Sequence, residues 1–186
     1  MKRPKKAIKR FKARDLILTA AMAATGIAVK AVFSPFVRLI SAPLLIPGGA
    51  LAGGLYMMWL IMAAGLTGKR GAASLAGLIQ ALLVIAAGAG GSHGLLSLVS
   101  YTLPGLAADA VFLLMRRRAT DLPGCVVSCS AANLCGTVAV NLIFFRLPLI
   151  PLLLGLTAAA FSGGTGGVLA WHLLRALRRF DIIAEN

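Results

Sequence analysis

The residues of this sequence that could recognise a ligand are polar side chains placed at the ends of long apolar segments. They provide cationic, amide, hydroxyl and phenol groups but no carboxylate. A metal cation is bound by carboxylate, imidazole or thiolate ligands, so the set favours a neutral or anionic organic molecule. An isolated loop histidine is more often simply solvated. The candidate ligand-binding residues are Lys30, Arg38, His93, Ser97, Tyr101, Asn133, Asn141 and Arg146.

No constellation typical of catalysis is present in the sequence. His93 and His172 fall at opposite ends of the predicted segments, and HExxH does not occur. No acid and base pair lies at one depth, which counts against an intramembrane enzyme. The GxxxxGK[ST] phosphate-binding loop is also missing. We therefore expect a protein that is not an enzyme, uses no cofactor, and depends on a partner for any energy.

The cysteines do not indicate a metal or a disulfide site. Cys125, Cys129 and Cys135 lie on one apolar segment, and no histidine or acidic residue lies between them. Free cysteines in such segments usually behave as small buried hydrophobic residues. We expect packing rather than metal binding.

The composition indicates the elements that must position the polar residues. Of the 186 residues 59% are hydrophobic and 13% are charged, whereas soluble domains are about 45–50% apolar. We expect an all-α polytopic membrane protein, a bundle of six transmembrane helices with short loops. A basic tail (1–14) precedes the membrane domain (15–179), and a second tail (180–186) follows it. The expected spans are about 16–33, 48–66, 72–87, 95–115, 124–145 and 152–174.

The stretch Leu51–Ala73 sets the orientation. Its apolar run stops at Lys69-Arg70 and a second apolar run begins at once, which is typical of two membrane helices joined by a tight basic turn. A Lys-Arg pair in such a turn marks the cytoplasmic side. The N-terminal segment lacks a clear cleavage site, so we expect it to stay attached.

The distribution of charge supports this orientation. The net charge is +14, and eight basic residues lie in the first fourteen positions. In the six-span topology sixteen basic residues face the side of the termini and two face the other, with Lys30 inside a span. This asymmetry predicts a plasma-membrane protein with both termini in the cytoplasm. Charge of this kind fits anionic lipid headgroups better than nucleic acid.

Small residues recur at helical spacing. Ala20, Ala24 and Ala28 line one face of the first span, where they would permit close approach by another helix. Packing within the bundle and docking of a second membrane protein are both open for this alanine stripe. For the pairs Gly49/Gly53 and Gly163/Gly167 we expect packing within the bundle.

Two ionisable residues lie inside the predicted spans. Lys30 falls near the outer end of the first span, from which its long stem could also reach the interface. Asp109 lies roughly 10 Å from the inner end of the fourth span. We expect a structural role for Asp109, either pairing with Arg116 or Arg117 or capping a neighbouring helix.

The chain resembles the substrate-binding S components of energy-coupling-factor (ECF) transporters. The resemblance rests on the length, the six spans, the alanine stripe, and the block Gly54-Leu-Tyr-Met-Met-Trp through Gly68-Lys-Arg-Gly-Ala-Ala73. This block and the stretch Tyr101–Asp109 are similar to the S components associated with thiamine or its hydroxymethylpyrimidine precursor. Those relatives carry an acidic residue early in helix 3, where this chain has Ala76-Gly77. A neutral precursor or another vitamin is therefore open.

The resemblance implies a function and partners. S components capture a vitamin or a related micronutrient in the outer half of the bundle. They work with a transmembrane coupling subunit and two cytoplasmic ATPases, and the alanine stripe of helix 1 contacts the coupling subunit. The alternative is a membrane scaffold or assembly protein without a ligand.

Overall fold

A computed structural model of the chain describes residues 11–43, 46–88, 94–116, 119 and 121–179. Within these ranges the regular structure is entirely helical. A short 3₁₀ turn at Gly94–Leu96 leads into the fourth α-helix, and a π-helical segment at Asn141–Phe145 continues the fifth. The α-helices are α1 (Ala13–Ser41), α2 (Gly48–Thr67), α3 (Ala72–Ala86), α4 (Ser97–Leu114), α5 (Leu122–Val140) and α6 (Leu149–Arg179).

The helices have the lengths and composition of a multi-pass membrane protein. All but α3 are long and apolar enough to cross a bilayer, giving five candidate spans in the described part of the chain. Helix α3 is apolar but has 15 residues, or about 22 Å of rise. The predicted all-α membrane architecture is confirmed, whereas the six-span topology and the cytoplasmic termini stay predictions.

Helix α1 extends further than the predicted first span. It continues past Phe33 to Ser41 and contains Pro35 in its interior. Proline removes one intrahelical hydrogen bond, but membrane helices tolerate this loss where neighbouring groups compensate. Arg38 therefore lies in the last turn of α1, where its side chain is exposed, rather than in a loop.

Helix α2 lies at the centre of the bundle. It contacts all five other α-helices of the described structure, and the others follow one another around it in the order α1, α3, α4, α5, α6. Its sequence is apolar on every side, and most of its residues are buried. A helix that is hydrophobic all round is expected in such a position.

Glycines bring three helices to backbone contact. Gly54 of α2 lies directly against the backbone of Ser162 and Gly166 in α6. Gly163 and Gly167 of α6 lie against the backbone of α5, as expected for small residues at helix interfaces. The prediction that Gly163 and Gly167 pack within the bundle is confirmed. Of the other predicted pair, Gly53 is buried against Asn133, but Gly49 is exposed and packs against no neighbouring helix.

The predicted basic turn joins α2 and α3. Gly68 and Gly71 have φ angles of 62° and 83°, a left-handed conformation that glycine adopts without the steric cost of a side chain. Lys69, between them, forms an ion pair with Asp15 of α1, with the Nζ and Oδ2 atoms 3.5 Å apart. This contact attaches the beginning of α1 to the turn.

Candidate ligand-binding site

The side chain of Lys30 is directed into the bundle rather than towards a membrane interface. Its Nζ donates a hydrogen bond to the hydroxyl of Tyr101 at 2.6 Å. The same atom lies 4.3 Å from the centre of the Tyr101 ring and 5.9 Å from the centre of the Tyr56 ring. The predicted candidates Lys30 and Tyr101 are thus in contact. The rings of Tyr56 and Tyr101 both lie within cation–π distance of the ammonium group.

Trp59 and Gln80 approach α1 one turn away from Lys30. Gly26 precedes Lys30 by four residues, so both lie on one face of α1. A Cβ atom at Gly26 would lie against the Gln80 amide and against Cβ and Cδ1 of Trp59, so these side chains pack directly on α1 at this glycine. Tyr56 and Trp59 are not among the ligand-binding candidates predicted from the sequence. Their spacing of three residues on α2 was the available signal that they share a face.

Several buried polar atoms on α2 and α4, the helices that carry Tyr56 and Tyr101, have no hydrogen-bond partner within the described residues. They include Tyr56 Oη, Trp59 Nε1, Ser97 Oγ and Ser100 Oγ. Ser97 is fully buried, and Ser100 and Tyr56 are each 8% exposed. Leaving such a group unsatisfied costs about 1–3 kcal/mol. We define Lys30, Tyr56, Trp59, Gln80, Ser97, Ser100 and Tyr101 as the Lys30 cluster, a set of polar and aromatic residues that includes these four unpartnered groups.

Asn133 uses its amide to hold helices together. Its Nδ2 donates to the carbonyl oxygens of Ala159 at 2.9 Å and Ala50 at 3.3 Å. Its Oδ1 lies directly beside Gly53. The side chain is 1% exposed and joins α5 to α2 and α6. Asn133 is a predicted ligand residue whose two amide hydrogens are already engaged, so we leave it out of the Lys30 cluster.

Asn141 organises the turn between α5 and α6. Its Oδ1 accepts a hydrogen bond from the Leu147 backbone at 2.9 Å, and its carbonyl accepts one from the Arg146 backbone at 2.7 Å. Arg146 adopts a φ of 47° and its side chain is exposed. The structure therefore does not bring Asn141, Arg146 or Arg38 into contact with Lys30. His93 lies outside the described residues.

Asp109 caps the beginning of α3. Its Oδ2 accepts hydrogen bonds from the Ser74 backbone at 2.8 Å and from the Ser74 hydroxyl at 2.6 Å. Ser74 is the third residue of α3, where backbone N–H groups lack intrahelical partners. Of the two structural roles expected for Asp109, the structure shows capping of a neighbouring helix.

Replacing Asp109 by alanine should lower stability without changing ligand binding. The change removes both hydrogen bonds to Ser74, and losing a helix cap costs about 1–2 kcal/mol. Ser74→Ala removes only the hydroxyl contact and should cost less. Thermal unfolding of the purified protein measures both. A protein of unchanged stability that no longer binds ligand would contradict the capping role.

The alanine stripe faces away from the bundle. Ala20, Ala24 and Ala28 are all exposed, whereas Thr19, Ala23 and Gly26 form the buried face of α1. Of the two open alternatives, packing within the bundle does not apply in this structure. The stripe is available to another membrane helix.

Comparison with known proteins identifies the family and the fold. A family model described as "ABC-type cobalt transport system, permease component" matches residues 14–135, more than half of the chain. The solved structure of an S component of an ECF transporter superposes with a TM-score of 0.79 at 21% identity, covering 94% of this chain and 89% of that one. No curated protein matched. The chain has the fold of an S component and belongs to the family of ABC-type cobalt transport system permease components.

Proposed function

We propose that the protein is the substrate-capture subunit of an ECF-type ABC importer and binds a vitamin or vitamin precursor in a pocket open to the outside. The observation that carries the proposal is the Lys30 cluster. It combines a cation, aromatic rings and unpartnered hydroxyls inside an S-component fold. Ionisable residues within a membrane are costly and indicate function by default.

The proposed importer includes a transmembrane coupling subunit and two cytoplasmic ATPases. The exposed alanine stripe of α1 would dock on the coupling subunit, because small residues allow close helix approach. All six α-helices would cross the plasma membrane, α3 as the shortest, with both termini in the cytoplasm. Toppling of the docked bundle would then present the pocket to the inside when the ATPases cycle.

An organic molecule fits this chain better than a cobalt ion. Cobalt(II) is bound by imidazole, thiolate or carboxylate groups. The described residues contain no group of three or more His, Cys, Asp or Glu that could hold a metal ion. The Lys30 cluster instead offers an ammonium group, phenols and hydroxyls, of which the ammonium repels a metal cation.

The proposal includes a relationship to the S components associated with thiamine or hydroxymethylpyrimidine. It differs from them in the charge of the substrate. Ala76 is fully buried, and Gly77 lies against the backbone oxygen of Tyr101. No carboxylate is available at these positions to balance a cationic thiazolium. We therefore favour a neutral or anionic molecule over thiamine itself.

The proposal is tested by extracting the molecule that copurifies with the protein. Native mass spectrometry of the detergent-purified wild type should show one bound organic molecule. Tyr101→Ala should abolish retention because it removes the partner of Lys30. Phe161→Ala is the matched control, since Phe161 is 79% exposed and lies on α6.

The scaffold alternative makes the opposite prediction. An empty wild-type protein that shows no thermal shift with any member of a vitamin and precursor panel would favour it. Loss of the molecule in both variants alike would indicate general damage rather than a site at Tyr101.

A further inference from the structure

We propose that the captured molecule is a small organic anion carrying a flat ring, and that Lys30 binds its anionic group. This inference rests on the proposed function, because it specifies the substrate of the same site. It depends on three features of the Lys30 cluster: a positive charge without a nearby carboxylate among the described residues, side chains that can only donate hydrogen bonds, and aromatic rings.

Among the described residues, no carboxylate lies near the positive charge of Lys30. The sequence contains five acidic residues, and none lies between Asp15 and Asp109. Asp15 is fifteen residues before Lys30 on α1, which corresponds to about 22 Å along the helix. Asp109 is engaged with Ser74 at the start of α3, and Asp121 precedes α5 at the same end of the bundle. An anionic ligand would supply the missing counter-charge.

Lys30 also lies deep in its helix. It is eleven residues before Ser41, the last residue of α1, or about 16 Å from that end. A charged side chain on a membrane-crossing helix is costly unless it is paired or hydrated. The cost is a reason to expect a functional partner rather than a packing role.

Two residues of the cluster, Lys30 and Trp59, can donate hydrogen bonds but cannot accept them. The Lys30 ammonium has several N–H groups and no acceptor, and in the described part of the chain Tyr101 Oη is its hydrogen-bond acceptor. The indole N–H of Trp59 can only donate and is buried without a partner among the described residues. The hydroxyls of Tyr56, Ser97 and Ser100 can also donate to a ligand. A carboxylate or phosphate is rich in acceptors and would satisfy these donors together.

The aromatic residues of the cluster favour a ligand that carries a flat ring. Tyr56 and Tyr101 both lie within cation–π distance of Lys30 Nζ, so they hold the ammonium in position before a ligand arrives. Trp59 follows on the same face of α2, next to Gly26. Aromatic rings pack on one another in offset or edge-to-face arrangements, so these side chains favour a ligand that carries a planar ring.

The test compares matched compounds that differ in charge. Thermal shift of the purified full-length protein is measured with nicotinate and nicotinamide, with 4-aminobenzoate and 4-aminobenzamide, and with pyridoxal 5′-phosphate and pyridoxal. The copurifying molecule is identified by mass spectrometry in parallel. We expect an anionic ring compound to be bound, and its neutral counterpart to bind more weakly. Lys30→Gln should weaken binding of that anion by about tenfold to a hundredfold, because a hydrogen bond to a charged group is lost.

Lys30→Arg is the companion variant and should retain most of the affinity because it keeps the charge. Thermal unfolding in the absence of compound shows whether either variant is folded. A copurified or stabilising molecule that is neutral or cationic, or an affinity equal in wild type and Lys30→Gln, would overturn the anion proposal while leaving substrate capture intact. Absence of any bound or stabilising compound would overturn both.

Discussion

Ala24→Trp should abolish transport while leaving ligand binding intact. Ala24 lies at the middle of the alanine stripe and is exposed. An indole at this position would hold a docking helix away, and over-packing of a close interface costs about 1–3 kcal/mol, enough for roughly tenfold or more weaker docking. Because the side chain points away from the bundle, the Lys30 cluster should be unaffected.

The measurement pairs uptake by whole cells with ligand affinity of the purified subunit. Ala110→Trp is the matched control, since Ala110 is also exposed but lies on α4. We expect uptake to be lost only with Ala24→Trp and affinity to agree within about twofold for both. A parallel loss of affinity would contradict a docking role for the stripe.

Gly54→Leu should strongly destabilise the fold. A Cβ atom at this position would overlap the backbone oxygen of Ser162 in α6, and backbone atoms cannot move aside without separating the two helices. The Gly54 N–H also donates to the Ser162 hydroxyl at 2.9 Å. We expect a loss of about 3 kcal/mol in the free energy of unfolding, at the upper end for over-packing.

Gly49→Leu provides the control on the same helix. Gly49 has no atom within 4 Å of where its Cβ would lie, so the change adds a side chain without a clash. Both variants gain about 1 kcal/mol of helix propensity, which cancels in the comparison. Chemical denaturation of both proteins under identical detergent conditions measures the difference. Equal stability would show that α2 and α6 can separate at little cost.

Much of the fold could be predicted because a membrane helix is recognised from its own apolar sequence, without knowledge of its neighbours. The apolar runs and the turn at Lys69-Arg70 predicted α2 to α5 closely, whereas α6 extends beyond the predicted span at both ends. The end of α1 could not be placed, because Pro35 suggests termination in isolation, whereas a packed membrane helix tolerates it. The close contacts of Gly163 and Gly167 followed from spacing alone.

The site was less predictable because its contacts are between distant parts of the chain. Lys30 and Tyr101 were both candidates, but nothing local shows that they meet. Trp59 approaches α1 because Gly26 leaves room, which requires the packing of α1 on α2. Conversely, Asn133 has the chemistry of a ligand residue, and only the positions of Ala50 and Ala159 reveal that its donors are occupied.

Helix α1 carries Lys30 towards the bundle and Ala24 towards the outside, six residues apart. If Lys30 binds substrate and Ala24 docks on the coupling subunit, substrate binding and docking both involve the same rigid helix. Thermodynamic reciprocity then applies: the factor by which bound substrate changes docking affinity equals the factor by which docking changes substrate affinity. The substrate affinity of the free subunit therefore describes capture of the substrate. Its release depends on the substrate affinity of the docked complex, which differs from the first by this coupling factor.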